Sequence, residues 1–423
     1  MSSSYPDSWA EVRLGDILTV IRNGTTATQV DRETDFPVSR IETIAEGTID
    51  WSRVGYLAGP AQGYQLEPGD VLFSHINSLA HLGKVALFNE TRVLYHGMNL
   101  MLLRFDSKRA MPSYCFRILQ SPIGRSHARR EAKSAINQAS LGQAQIKDLR
   151  LHLPPLSEQR GIAVTLKTLD KVILCAEEII AKLKLVQQGL SHDLLTRGID
   201  EGGELRPSPA EAPGLYMDSR LGRIPRAWEV REVGELGLVS TGTTPSTMVS
   251  ANYGGDELFV SPADIGNERW IEETQKTLTQ RGLREARELP PYAVMVTCIG
   301  NLGRVGQSRR PVATNQQINT IIPSPGIDPV FLFHASALLR PQLEVVAGRQ
   351  VVPIVNKGQF AFLRLPIPPL AEQKAIASVL EACEGRLEKE QRLERELRIV
   401  KRGLADDLLT GRVRLPVPEV ANA

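Results

Sequence analysis

Apolar residues recur at spacings of four and three in two widely separated parts of the chain. In the first part this spacing runs from Ile162 to Leu183, and Leu190 and Leu194 resume it. Such a stripe is typical of a long helix that packs along its length against another helix. At about 1.5 Å per residue each helix would be roughly 58 Å long, so we expect the two stripes to be buried on each other. The second stripe comprises Ile376, Leu380, Cys383, Leu387, Leu393, Leu397, Val400, Leu404 and Leu408.

The two helix starts are near copies of each other. PPLSEQRGIA begins at Pro154 and PPLAEQKAIA begins at Pro368, and the alignment holds without a gap through GLSHDLLT and GLADDLLT at the helix ends. About 16 of 44 aligned positions are identical, far more than chance produces. Prolines can precede a helix, and Glu158 or Glu372 lies in the first turn, where the helix dipole favours negative charge. The chain therefore contains an internal repeat.

The segments before the two helices also match, more faintly. Residues 8–26 align with residues 227–244 and place a Trp and a Gly-Thr-Thr run in register. LEPGDVLFS and LPPYAVMVT each predict a turn followed by a strand, and each continues to a glycine and a basic residue. Residues 197–214 are rich in Gly, Pro and acid, which predicts a flexible join. The predicted segments are a globular domain (1–152), a long helix (153–198), a linker (199–222), a second globular domain (223–366), a second long helix (367–414) and a tail (415–423).

Composition excludes several classes of protein but does not select one. Fifty Lys and Arg against 48 Asp and Glu give a net charge of +2, and 42% of residues are hydrophobic, which is ample for globular domains. No apolar run has the roughly 20 residues of a membrane span, and the start lacks a signal-peptide layout, so we expect a cytoplasmic protein. The four cysteines lie far apart, which suits reduced packing residues.

The candidate enzymatic motifs in the sequence are each interrupted by a leucine. LPPY at Leu289 superficially resembles the Asn/Asp-Pro-Pro-Tyr motif of adenine methyltransferases, but leucine cannot accept the hydrogen bond from the adenine amino group. We interpret it as a turn before a strand. Leu302 breaks a Gly-x-Gly-x-x-Gly pattern, and no His-x3-His pair or acid cluster suggests a metal. We therefore expect no catalytic residue, no metal and no cofactor bound by this chain.

The paired PPLSEQ and PPLAEQ helix starts, GRIPRAWEV at the second half, TGTTPS after it and TNQQINTIIP further on resemble the specificity subunits of type I restriction and modification systems. The resemblance covers essentially the whole chain. It implies an α+β fold, in which two globular target recognition domains are separated by two long helices packed as an antiparallel coiled coil, with pseudo-twofold symmetry. It also implies that each domain reads one half of a split DNA sequence and that the coil fixes the distance between the halves.

The resemblance further implies the partners. Double-stranded DNA is the ligand, two methyltransferase subunits dock on the conserved regions and use S-adenosylmethionine, and two motor-nuclease subunits that use ATP and Mg can join them. Two alternatives remain: a self-contained adenine methyltransferase, and a coiled-coil scaffold that does not bind DNA.

Recognition of DNA requires polar side chains for base edges and basic side chains for phosphates. A basic stretch at residues 117–133 suits a phosphate backbone if its charges share one face, and a solvated helix face is the alternative. The candidate DNA-binding residues are Thr25, Thr26, Arg40, Ser74, His75, Asn77, His81, Lys84, Arg125, Arg129 and Arg130 in the first half, and Thr243, Thr244, Asn301, Arg304, Asn315, Gln316, Gln317 and Lys357 in the second.

Overall fold

The chain divides into two compact units in the computed structural model. The first unit consists of Met1–Glu177 and Arg392–Ala423, and the second consists of Glu178–Gln391. Each unit therefore contains one end of both long helices. Of the predicted tail, residues 416–423 lie outside the described part of the chain. The structure describes residues 5–45, 47–79, 81–135, 138–266, 268–348 and 351–415.

Two helices of 41 residues each are the longest elements. Both begin directly after a proline pair, as the sequence predicts, because proline cannot continue a helix that it precedes. Each is followed within two residues by a glycine with positive φ, Gly198 at 63° and Gly411 at 73°, the conformation that commonly ends a helix. The helices are α1 (Pro112–Gln120), α2 (Pro122–Glu131), α3 (Gln143–Lys147), α4 (Leu156–Thr196), α5 (Val233–Leu236), α6 (Gln280–Glu285), α7 (Pro329–Ser336), α8 (Arg340–Ala347), α9 (Lys357–Ala361) and α10 (Leu370–Thr410).

The first unit is built on a four-stranded antiparallel sheet with strand order β10-β8-β11-β2. A separate pair, β1 with β14, leads directly into α4. The strands are β1 (Ala10–Arg13), β2 (Leu18–Asn23), β3 (Gln29–Val30), β4 (Pro37–Val38), β5 (Ile44–Ala45), β6 (Thr48–Ile49), β7 (Gly55–Leu57), β8 (Val71–Phe73), β9 (Ile76–Asn77), β10 (Val85–Leu87), β11 (Met101–Phe105), β12 (Lys133–Ala135), β13 (Gln138–Ser140) and β14 (Arg150–Leu153).

The second unit repeats this plan. Its central sheet has the order β18-β25-β22-β23, which matches β2-β11-β8-β10, and the pair of β17 with β26 leads into α10. A second four-stranded sheet, β20-β19-β24-β21, is added to it. The strands are β15 (Tyr216–Ser219), β16 (Gly222–Pro225), β17 (Glu229–Glu232), β18 (Gly237–Thr241), β19 (Tyr253–Val260), β20 (Lys276–Leu278), β21 (Glu288–Leu289), β22 (Val294–Thr297), β23 (Val305–Gly306), β24 (Val312–Thr314), β25 (Ile318–Pro323) and β26 (Arg364–Ile367).

Opposite ends of the two long helices meet in each core. In the first unit, Ile162 and Leu166 from the start of α4 share a buried cluster with Leu408 from the end of α10. In the second, Leu194 from the end of α4 shares one with Ile376 from the start of α10. The helices are therefore antiparallel within each unit, and the expected mixture of sheets with paired long helices is confirmed.

The apolar stripe of α4 is the packed face, as expected, because each of its positions is buried or half-buried from Ile162 to Leu194. The expectation for α10 is wrong at two positions. Leu393 and Val400 are exposed, and the half-buried positions between Leu387 and Leu404 include Glu394 and Lys401 instead. Steps of four and three residues from Ile376 lead to Glu394 and Lys401. In the charged middle of α10, the position of a residue on the helix therefore decides whether it is half-buried, whatever its hydrophobicity.

Residues 197–214, predicted to be a flexible linker, are held by specific contacts over much of their length. Ile199 is buried and pairs with Leu205, and the Arg206 guanidinium donates two hydrogen bonds to the Glu372 carboxylate. The Tyr216 hydroxyl donates to Pro207 O at 2.6 Å. Composition indicated flexibility, but a paired charge and a buried aliphatic side chain hold this segment.

One segment, Pro329–Ala347, is long and apolar enough to cross a membrane by length and composition alone, with a mean hydropathy of 1.2. Here it forms α7, a short 3-10 turn and α8, and Phe331, Leu339 and Leu343 are fully buried in the second core. We therefore interpret it as a core segment.

Candidate nucleic-acid interface

Loops that carry the candidate residues of the second unit meet at one end of its central sheet. Strand β18 ends at Thr241, which lies opposite Asn319 near the start of β25. Strand β22 ends at Thr297, opposite Ile318. Because neighbouring antiparallel strands begin and end at the same edge, the loops after β18 and β22 and the turn before β25 lie together. These loops contain Thr243, Thr244, Asn301, Arg304, Asn315, Gln316 and Gln317.

The turn before β25 is held by its own amide side chains. Asn315 Nδ2 donates to Gln317 Oε1 at 3.2 Å, and Gln317 N donates to Asn315 Oδ1 at 3.0 Å. An asparagine that bonds a backbone amide two residues ahead stabilises this kind of turn. Gln316 is exposed between them, and its Oε1 accepts a hydrogen bond from the Thr244 hydroxyl. Asn315 and Gln317 therefore support the turn, whereas Gln316 offers its amide to solvent.

A concave pocket of about 410 Å³ opens beside this turn. On its wall the Ser261 hydroxyl donates to Asp264 Oδ2 at 2.6 Å, while Lys276 is exposed and adds a positive charge. The aligned repeats do not single out Lys276, because it lies outside the matching segments. The pocket is lined by Thr244, Phe259, Ser261, Asp264, Gln275, Lys276, Asn315, Gln316 and Gln317.

The remaining candidates of the second unit are all on the surface. Arg304 Nη1 donates to Ile265 O at 3.0 Å, which leaves its other donors available to a ligand. Asn301 is exposed in the β22–β23 hairpin, and Lys357 is exposed as the first residue of α9. All three side chains are therefore accessible to solvent.

An equivalent sheet end exists in the first unit. Met101 at the start of β11 lies opposite Asn23 at the end of β2 and Phe73 at the end of β8. The Gly-Thr-Thr run after β2 and the hairpin after β8 therefore occupy the positions that the corresponding loops occupy in the second unit. Thr26, His81 and Lys84 are exposed there.

Three candidates of the first unit belong to its interior. Thr25, Ser74 and His75 are 6%, 1% and 4% exposed, so their side chains cannot contact DNA in this conformation. Burial lowers the pKa of His75, which keeps the imidazole neutral. Short-range sequence similarity aligned the two loops but could not tell which of their side chains point inward.

Two further candidates of the first unit are partly engaged with neighbouring side chains. Arg40 Nε donates to Gln29 Oε1 at 2.9 Å, and Asn77 Nδ2 donates to Ser74 Oγ at 3.3 Å. Both side chains remain partly accessible. They stay candidates for DNA binding, with Arg40 the better placed because a guanidinium has further donors.

A glycine occupies the same turn in both hairpins. Gly83 has φ = 76° and Gly303 has φ = 77°, the left-handed region that favours glycine. A Cβ on Gly83 would lie 2.8 Å from Ala128 Cβ, and one on Gly303 would lie 2.8 Å from Arg340 Cβ. Both glycines therefore mark a turn at which another segment approaches the backbone closely.

Part of the basic stretch forms α2, and the three arginines of α2 share its outer face, whereas Arg117 lies on α1 and bonds Asp170. Arg125, Arg129 and Arg130 are exposed, whereas His127 and Ala128 are buried on the inner face. Arg130 Nε also bonds Glu131 at 3.1 Å. The condition for a phosphate-binding surface, charges on one face, is therefore met by Arg125, Arg129 and Arg130 but not by the whole stretch from 117 to 133.

Glutamine in the repeated helix start performs the same task twice. Gln159 Oε1 accepts a hydrogen bond from Met111 N at 2.7 Å, and Gln373 Oε1 accepts one from Asp328 N at 2.8 Å. Each amide nitrogen also donates to the first proline carbonyl of its own motif, at 2.9 Å in both units. Gln159 thereby fixes the start of α1 to α4, and Gln373 fixes the start of α7 to α10.

The neighbouring glutamate ties each helix start to the segment that follows the other long helix. Glu158 accepts two hydrogen bonds from the Arg414 guanidinium, one of them at 2.7 Å. Glu372 accepts two from Arg206 and one from Trp228 Nε1 at 3.0 Å. The Glu-Gln pair of the motif thus anchors the start of each long helix, which explains why the motif occurs in both halves of the chain.

The LPPY segment is a turn before a strand, as interpreted from the sequence. Leu289 ends β21 and is buried, Tyr292 has φ = 64°, and β22 begins at Val294. Burial raises the pKa of Cys298 to about 11, so this thiol is a neutral packing group. Among the residues that the structure describes, no group of three or more His, Cys, Asp and Glu side chains is arranged to hold a metal ion.

Comparison with known proteins identifies the family. The sequence model of the type I restriction modification DNA specificity domain matches residues 6–185 and 225–397, once in each half of the chain. The chain belongs to this family. Membership favours the recognition hypothesis over a self-contained methyltransferase or a scaffold without DNA.

Some relatives of this specificity-domain protein span nearly its full length. It is 30% identical to the putative type I restriction enzyme MjaX specificity subunit of Methanocaldococcus jannaschii over 97% of this chain and 95% of that protein. The fold resembles the S subunit of a type I restriction-modification system from M. genitalium, with a TM-score of 0.59, 12% identity and coverage of 95% and 96% of the two chains. It also resembles a chain from a structural study of complex assembly in the type I R-M system, with a TM-score of 0.56, 17% identity and coverage of 97% and 100%.

Proposed function

We propose that this chain is the DNA specificity subunit of a type I restriction-modification complex and that each unit reads one half of a two-part DNA site. The observation that carries the proposal is the pair of equivalent sheet ends, each bearing exposed polar and basic loops. Two such surfaces in one chain suit two separate half-sites. Family membership supplies the class of ligand.

Base reading in the second unit falls to the turn before β25 and the hairpin after β22. The amide of Gln316 offers a donor and an acceptor, which match N6 and N7 of adenine in the major groove, and Arg304 suits the acceptors of guanine. In the first unit Thr26, His81 and Lys84 take the corresponding positions. The exposed arginines of α2, Arg125, Arg129 and Arg130, contact phosphates and fix the orientation of the first unit on the duplex.

The long helices serve as the spacer between half-sites. Ion pairs support their antiparallel packing in the first unit, where Arg398 bonds Glu177 and Lys401 bonds Asp170. A helix of fixed length that begins in one recognition unit and ends in the other has the form needed to set a fixed gap between half-sites.

Methyltransferase subunits dock on the outer faces of these helices. On α4, Val172, Ile179 and Val186 recur every seven residues and are 44%, 42% and 58% exposed. On α10, Val379, Leu393 and Val400 follow the same register and are also exposed. An apolar strip beside a coiled-coil seam favours further helices from a partner. Two methyltransferase subunits and two motor-nuclease subunits fit a chain with an internal repeat.

The chain itself is non-catalytic and acts in the cytoplasm, where its DNA substrate is. Its partners supply S-adenosylmethionine-dependent methylation, and a restriction subunit supplies ATP- and Mg-dependent cleavage. Recognition by this chain then decides which adenines the partner reaches.

The direct test is methylation mapping of DNA. The chain is co-expressed with the methyltransferase subunit of its system in a host that lacks other adenine methylation, and N6-methyladenine is mapped by single-molecule sequencing. We expect one two-part motif with a gap of fixed length, and no methylation when this chain is omitted. Methylation without the chain, or at a continuous motif, would contradict the proposal.

A further inference from the structure

A guanidinium is buried between the second recognition surface and α10. The Arg269 side chain is 3% exposed and lies between two aromatic rings, with Cζ 4.2 Å from the Trp270 ring centroid and 5.2 Å from that of Phe333. A buried cation is costly unless it is paired and hydrogen-bonded. The partners of Arg269 therefore identify what this charge holds together.

Those partners lie on the long helix. Arg269 Nη1 approaches Glu381 Oε1 at 3.1 Å and Glu384 Oε2 at 3.4 Å, two carboxylates one helical turn apart on α10. His334 Nε2 lies 3.5 Å from Glu384 Oε1 on its other side. Removal of the guanidinium would leave two acidic groups beside each other and separate the loop from the helix.

On the recognition side, Arg269 is bonded to a buried glutamine. Its Nε donates to Gln307 Oε1 at 2.8 Å, and its carbonyl accepts from Gln307 N at 2.9 Å. Gln307 Nε2 in turn donates to the carbonyls of Tyr292 and Pro329, both at 2.9 Å. The arginine is thus fixed to the strands that carry the reading loops.

In the first unit, different cations pair with the equivalent carboxylate of the long helix. Asp170 occupies the repeat position of Glu384, and its carboxylate accepts hydrogen bonds from Arg117 on α1 and pairs with Lys401 on α10. Both cations come from helices. In the second unit the cation is Arg269, which lies between Asp264 and Gln275, two residues that line the pocket beside the reading turn.

We infer that Arg269 is a positioning residue: it fixes the angle of the second recognition surface on α10 and so sharpens the choice of gap length between the half-sites. This inference rests on the proposed function. Bases are read by other side chains, so the half-site sequences do not depend on Arg269, whereas the distance at which both surfaces engage one duplex does.

The chain offers a matched control in Arg309. Its guanidinium stacks on Trp270 at 4.0 Å, and it pairs with Glu272 at 3.2 Å within the recognition region. Arg309→Met therefore removes an arginine from the same ring without touching the link to Glu381 and Glu384.

The experiment compares methylation maps of the wild-type, Arg269→Met and Arg309→Met complexes, each assembled with the methyltransferase subunit. We expect Arg269→Met to keep both half-site sequences but to raise methylation at gaps one base pair longer or shorter by about tenfold relative to wild type, because the buried ion-pair link is absent from the variant. Arg309→Met should keep the wild-type gap preference.

A wild-type gap preference in Arg269→Met, or a change in the half-site sequences themselves, would overturn the inference. If the methionine variant does not assemble, Arg269→Lys is the alternative, because it keeps the cation and removes the forked geometry. We expect it to raise methylation at longer and shorter gaps in the same way, but by less. A lysine variant with undiminished gap preference would then contradict the inference. A wild-type complex without a two-part motif would instead refute the proposed function.

Discussion

The two units share a buried framework and differ on the surface. Gln159 and Gln373 make matching hydrogen bonds, and both central sheets have the same strand order. On the outside, α2 of the first unit carries three exposed arginines, whereas α8 of the second exposes one, Arg340, together with Glu344 and Val345. Buried positions repeat because the geometry of a packed helix start permits few side chains, while exposed positions are free to follow separate ligands.

The helix-start glutamates should show the largest difference between the units. Glu372→Ala leaves the buried Trp228 Nε1 and the Arg206 guanidinium, whose side chain is 13% exposed, without their acceptor, and we expect a loss of about 3–5 kcal/mol in the free energy of unfolding. Glu158→Ala should cost about 1–3 kcal/mol, because its partner Arg414 is 41% exposed and water can solvate it. Urea denaturation of both variants measures this, and equal losses would show that the two anchors are equivalent.

Charge on α2 should set the salt dependence of binding. Replacing Arg125, Arg129 and Arg130 together by glutamine should weaken binding to any DNA sequence and reduce the log–log salt slope by about 2.7, or about 0.9 for each phosphate that an arginine no longer neutralises. Arg340→Gln on the matching α8 serves as the control, because Arg340 pairs with Glu344 at 3.0 Å. Titrations of the assembled complex at several salt concentrations give both slopes. An unchanged slope in the triple variant would show that α2 is a solvated face.

Gln316 should affect one base pair of the second half-site. We expect Gln316→Ala to lower discrimination at that position by about 1–2 kcal/mol and to leave the first half-site unchanged. Gln275→Ala, on the pocket wall away from the turn, is the comparison variant. Methylation maps report both, and relaxed reading in the first half-site would show that the units are not independent readers.

Acid should produce the smallest effect. Burial is the main cause that lowers the pKa of His334 to about 3, well below its ordinary value of 6.5, and Arg269 contributes. The neutral imidazole therefore stabilises the fold fully above pH 6.5, and this contribution falls as the pH drops towards 3, by about 1 kcal/mol at pH 5.5. His334→Gln should remove this slope, whereas His192→Gln, at an exposed position, should keep it.

Burial acts on His96 of the first unit in the same direction and lowers its pKa to about 4. Burial raises the pKa of Glu384, which changes stability with pH in the opposite sense. The difference between His334→Gln and wild type isolates the histidine. A His334→Gln protein with the same acid sensitivity as wild type would contradict the assignment.

Sequence alone was sufficient for the architecture but only partly for the site. Helical periodicity and the repeated PPLxEQ start predicted α4 and α10 because these signals are local. Burial of Ser74 and His75 was not predictable, since it depends on the packing of distant strands. The same holds for the pairs of Arg206 with Glu372 and of Arg269 with Glu384, whose partners are more than a hundred residues apart in sequence.

Independent reading by the two units is the central claim, and a domain exchange tests it most directly. Residues 1–152 are replaced by the matching segment of a relative with a different recognition sequence, and the exchanged complex is mapped for N6-methyladenine. The account predicts that one half of the methylated motif changes to that of the relative, while the other half remains that of the wild type. A change in both halves, or in neither, would contradict it.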